Sequence, residues 1–74
     1  MRNRQELIRA WKRAERLANE TSEEYVVFWD YNDYKGREVA RVMRYDWFLA
    51  NPAYDTLTDR EIVGTTIPLT VDRT

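Results

Sequence analysis

The chain has 74 residues and a formal net charge of −1, and contains neither Cys nor His. Without Cys there is no disulfide and no thiolate metal site. Without His, the commonest metal ligand and the commonest general base near neutral pH are missing. With only two glycines there is no phosphate-cradling Gly-rich loop, so composition points away from catalysis and from any cofactor.

A chain this short is expected to be one domain, 1–74, that buries only about 60 % of its unfolded surface. Ten aromatic residues are the obvious source of core, since each buries about 150–250 Å². The two ends differ in charge. Residues 1–18 carry six basic and two acidic side chains, and residues 19–74 carry six basic and eleven acidic ones. No apolar run approaches the roughly 18–20 residues of a membrane span, and the charged start has no signal-peptide core. The expectation is a cytoplasmic protein without membrane contact.

The first segment, "NRQELIRAWKRAERLANE", predicts an amphipathic helix. Leu7, Trp11, Ala14 and Ala18 fall on one stripe with Ile8 beside them. Asn3 and Glu6 form a capping-box pair. Arg2, Arg9, Lys12, Arg13 and Arg16 make a basic stripe on the opposite side.

After "TSEE" breaks the pattern, "YVVFWDY" is rich in β-branched and aromatic residues and predicts a strand. Alternation puts Tyr25, Val27, Trp29 and Tyr31 on one face, and Val26, Phe28 and Asp30 on the other. "NDYKG" supplies turn residues, with Gly36 suited to positive φ. "REVARVMRY" alternates again, with Val39, Arg41, Met43 and Tyr45 on one side, so the two segments predict a hairpin. A helix over 39–49 is the rival reading, and the β-branched run after a turn favours the strand.

"DWFLANP" predicts one helical turn capped by Asp46 and stopped before Pro52. Thr58 and Glu61 suggest a second capping box, opening a short helix that Gly64 ends. "TTIPLTV" predicts a strand, at a sheet edge because Pro68 cannot donate a ladder hydrogen bond. The expected fold is α+β: an N-terminal amphipathic helix packed on a small antiparallel sheet of about three strands, hairpin plus C-terminal edge strand, with short helical turns.

No arrangement in the sequence names a chemistry. Asp30 with Asp33, and Asp55 with Asp59 and Glu61, are paired carboxylates, but at turns and helix starts Asp serves capping and turn roles. "DYNDYKG" begins like a calcium loop, yet its sixth and twelfth positions are Lys35 and Arg41 where Gly and Glu are required. Neither enzyme nor metal protein is expected.

Two binding classes remain. Interfaces are rich in Tyr, Trp, Phe, Met and Arg, and a hairpin apolar on both faces needs two covers. One face is expected in the core, and the other is the candidate surface unless the short C-terminal elements cover it. The expected function is therefore a non-catalytic protein-binding module. Candidate partner-contacting residues are Arg9, Lys12, Arg13, Arg16, Trp29, Tyr31, Tyr34, Arg41 and Tyr45. The size, the split charge and the lack of Cys resemble those of the small inhibitors made by phages and mobile elements, a likeness of style without a shared motif. It implies docking on a host protein or complex. The alternative is RNA or single-stranded DNA binding by the basic helix and aromatic hairpin, against which stands a sequence pI of about 5.4. A homodimer through the sheet edge or aromatic face is a further way to cover a thin core.

Overall fold

The computed structural model describes residues 2–54, 57 and 61–67. In chain order they form α1 (Arg4–Thr21), β1 (Tyr25–Asn32), β2 (Arg37–Arg44), α2 (Tyr45–Ala50), a 3-10 turn over Pro52–Tyr54, and β3 (Ile62–Thr66). The strands make one antiparallel sheet in the order β2–β1–β3. With α1 packed on it, the fold is α+β, as the sequence predicts.

Local chemistry explains the ends of α1. The Asn3 side chain accepts a hydrogen bond from the Glu6 amide at 3.0 Å, satisfying one of the unpaired donors of the first turn. The box is not closed as expected: the Glu6 carboxylate turns instead to Arg37, at 2.9 Å. At the other end Ser22 takes the left-handed conformation, φ 59°, and donates its N–H to the Ala18 carbonyl.

The sheet-facing stripe of α1 is narrower and smaller than predicted. Ala10, Ala14 and Ala18 are its buried residues, and Leu7, Trp11 and Leu17 flank them half-buried. Small residues let the helix axis approach the sheet closely, so the bulky side chains splay to either side. Ile8 is pushed out to 48 % exposure.

Strands β1 and β2 meet in the predicted hairpin around the turn 33–36, with Gly36 at φ 65°. This removes the rival helix over 39–49. Strand β1 is the central strand, and Tyr25, Val26, Val27, Phe28 and Trp29 are all buried. Its Tyr25 and Val27 side packs on α1. Its Val26 and Phe28 side packs on Phe48 of α2, with Met43, Tyr45, Tyr54, Leu57 and Ile62 around it. Phe28, Phe48 and Tyr54 form a ring trio with centroids 4.9, 5.0 and 5.3 Å apart.

Both hairpin faces are therefore covered, and the expectation that one is left for a partner is corrected. The reason lies in the short C-terminal elements. The six-residue α2 delivers Phe48 onto Phe28, and the turn before Tyr54 delivers a second ring. Asp46 does not cap α2 from the N-cap position, which Arg44 holds without a side-chain bond. It sits in the first turn, pairs with Arg44 at 2.8 Å and accepts from the Trp47 amide.

The last strand also differs from expectation. Ile62, Val63 and Gly64 are strand, not the end of a helix. Strand β1 has a second edge to pair, and that long-range demand overrides a local capping signal. The Trp29 N–H donates to the Glu61 carbonyl at 2.8 Å. Pairing slips by one residue between Val27 and Phe28, leaving Val63 as the extra residue of a bulge. Strand β3 does lie at a sheet edge. The predicted Thr58 cap and the stretch Pro68–Val71 lie outside the described residues.

Candidate functional site

Of the nine sequence-predicted contact residues, the fold brings three together. A groove of about 530 Å³ runs between α1 and the outer edge of β2, lined by Glu6, Arg9, Ala10 and Arg13 from the helix. Asn32, Lys35, Val39, Ala40, Arg41 and Val42 line it from the hairpin. Ala10, Ala40 and Val42 are small, and that is what leaves the trough.

The rim is cationic. Arg41 holds Asp30 at 3.0 Å, and Glu6 is taken by Arg37. The side chains of Arg9, Arg13 and Lys35 make no ion pair or hydrogen bond with any described residue, although the Lys35 backbone N–H donates to the Asn32 side chain at 3.1 Å. An unpaired guanidinium or ammonium beside a trough is a ready partner for a carboxylate or phosphate. Lys35 belongs to this set although the sequence marks it only as a turn residue. It sits in the turn 33–36 that leads into the edge strand β2.

The basic stripe of α1 is split by the packing. Arg9 and Arg13 face the β2 groove. Lys12 lies on the other flank, in a shallow apolar depression of about 400 Å³ with Leu7, Ile8, Trp11, Glu15 and Val63. Arg16 is exposed and only loosely paired with Glu20, at 3.9 Å.

The aromatic candidates separate in the same way. Trp29 is 5 % exposed and is no contact surface, which corrects the expectation. It lies on the helix side of the central strand, and the Arg2 guanidinium sits over its ring, 5.3 Å from the centroid. Tyr45 begins α2 and is half-buried against Val26, Phe28 and Phe48. Tyr31 and Tyr34 do reach solvent, at 59 % and 100 % exposure, on the hairpin's turn end.

Away from the groove, Arg4 and Lys12 also make no side-chain ion pair with a described residue, and Arg2 and Arg44 are engaged. Arg2 donates to both Glu38 carboxylate oxygens, at 2.6 and 3.3 Å. That hydrogen bond holds Glu38 below the usual carboxylate range and raises Arg2. Arg44 pairs with Asp46 and more distantly with Glu23, at 3.8 Å, and the Asp46 bond raises its pKa. Among the described residues there is no cluster of three acidic, His or Cys side chains that could hold a metal, and no helix long and apolar enough to cross a membrane.

No family model matches the chain, no curated protein matches it, and no solved structure matches it.

Proposed function

We propose that the chain is a non-catalytic binding module that docks on another protein through the groove between α1 and β2. The observation that carries this is the set of unpaired cations, Arg9, Arg13 and Lys35, along one trough. Three like charges held together cost the free protein a little through mutual repulsion, and an anionic surface relieves it. The partner surface is acidic, and complementary charge accelerates and orients its approach.

Nucleic acid is the second reading, favoured by the exposed Tyr31 and Tyr34 rings near Lys35. It ranks lower because Trp29 is buried and Tyr45 is half-buried against the core. Few stacking platforms are left, and stacking supplies much of single-strand affinity.

The test is a salt titration of binding to poly-glutamate, oligo-U and oligo-dT, on the parent chain and on Arg9→Glu/Arg13→Glu. Poly-glutamate binding that the double reversal abolishes supports the proposal. Tighter oligonucleotide binding with a steep salt slope would replace it with the nucleic-acid reading. No change on charge reversal removes the groove from consideration.

A further inference from the structure

We infer that the occupant of the groove is an extended acidic segment that adds as a further strand to the outer edge of β2, with alternate carboxylates reaching Arg9 and Arg13. The inference rests on the protein-docking reading above and specifies its binding mode.

The backbone directions come first. In an antiparallel ladder, alternate residues direct their N–H and C=O to opposite sides. The Trp29 N–H goes to Glu61, on the β3 side. Tyr25, Val27 and Trp29 therefore serve β3, and Val26, Phe28 and Asp30 serve β2. Their partners Met43, Arg41 and Val39 are the inward-bonding residues of β2. Glu38, Ala40 and Val42 then direct their backbone groups outward. The Glu38 carbonyl agrees with this assignment, since it accepts from the Arg37 side chain at 3.0 Å rather than from the ladder. That bond closes one end of the edge. The outward groups of Ala40 and Val42, which line the groove, have no partner among the described residues.

The helix supplies a matching ruler. Glu6 meets Arg37 at the start of β2, and Ala18 packs with Tyr25, the register partner of Arg44 at its end. Helix and strand thus run alongside each other in the same sense. Arg9 and Arg13, four residues apart on a helix, are separated by about 6 Å along the axis. Alternate residues of a strand are about 6.6–6.8 Å apart. An added strand therefore presents one side chain to each arginine when its residues alternate acidic and neutral.

The same cations choose the occupant. Unpaired sheet edges invite strand addition, and basic side chains along an edge deter a second basic edge. Pairing β2 with β2 of a second copy would bring two sets of Arg9, Arg13 and Lys35 together, so an acidic strand fits where a copy of this chain does not.

The experiment compares three peptides on the full chain: a short alternating Glu–Thr peptide, and the same peptide N-methylated at alternate residues in each of the two frames. Methylation keeps every charge and removes backbone donors. The inference expects one methylated frame to bind about tenfold weaker or worse, the other to bind like the parent peptide, and the Ala40 and Val42 amides to exchange more slowly when the parent peptide is bound. Equal binding of all three peptides, still lost in Arg9→Glu/Arg13→Glu, would overturn strand addition while leaving docking by charge intact. Binding that the charge reversal does not affect would overturn both.

Discussion

The ring of Trp11 lies against Gly64, so closely that a Cβ at residue 64 would stand 3.3 Å from Cη2 and 3.5 Å from Cζ3. This contact seats the bulky flank of α1 on β3, and it exists because residue 64 has no side chain. Gly64→Val should cost about 1–3 kcal/mol through overpacking, although valine suits a strand. In a Trp11→Leu background the same change should cost little. Denaturant unfolding of the two single variants and the double variant gives the coupling, expected at about 0.5–3 kcal/mol. Additive costs would mean that the ring moves aside freely.

Phe48 is the second point where one side chain decides a packing layer. Its ring stacks on Tyr54 and meets Phe28, which is fully buried. Phe48→Ala should cost about 3–5 kcal/mol, a large share of the roughly 5–15 kcal/mol available to a domain. Its neighbour Trp47 is 61 % exposed, with the Arg44 guanidinium 4.9 Å from its ring centroid. Trp47→Ala should therefore cost less than about 1 kcal/mol. Thermal melts of the pair test the assignment, and comparable losses would place α2 the other way round on the sheet.

These layers explain which parts of the fold could be read from the sequence. The helix and the hairpin were legible because their signals are local: an Asn3 cap, period-two alternation and Gly36 in the turn. Ala10 and Leu17 were not legible as helix–sheet contacts because both lie to one side of the stripe through Leu7, Trp11, Ala14 and Ala18, and the face that packs on the sheet is rotated toward them. Ile62 and Val63 looked helical because Thr58 and Glu61 mimic a capping box, and only the unpaired edge of β1 turns them into a strand. Trp29 looked like a surface ring because alternation assigns a residue to a face without saying what covers that face. The groove was half legible. The basic stripe pointed to Arg9 and Arg13, but Lys35 joins them only once the hairpin folds back along the helix.

The Arg2–Glu38 pair predicts a small acid sensitivity. Arg2 holds Glu38 below its ordinary value of 4.5. A carboxylate whose pKa is lowered on folding stabilises the fold above its unfolded pKa, and that contribution disappears as pH falls through the folded value. The parent should therefore lose melting temperature from just below pH 4.5 downward more steeply than Glu38→Gln. Both groups are solvent-accessible, so the difference should shrink in high salt. Parallel acid limbs for the two proteins would show that the pair contributes nothing to folding.

The groove cations make the last prediction, in which stability and binding move in opposite directions. Arg13 sits one turn from Arg9 and three residues before Arg16, and it has no described partner of its own. Like charges at these spacings cost a helix a few tenths of a kcal/mol each. Arg13→Glu replaces two repulsions with two attractions, so the variant should gain about 0.5–1 kcal/mol, or roughly 2–8 °C in melting temperature for a domain of this size. The gain should fade as salt screens the charges. The same variant should lose affinity for an acidic partner. A drop in melting temperature at low salt would instead show that the Arg13 stem contributes more by covering apolar surface than its charge costs, and Arg13→Met, which keeps the stem without the charge, would then melt like the parent or higher. A residue that costs the free protein stability and is needed for binding is what an interaction surface requires. A residue whose reversal improves the fold and leaves binding untouched would belong to an ordinary solvated face.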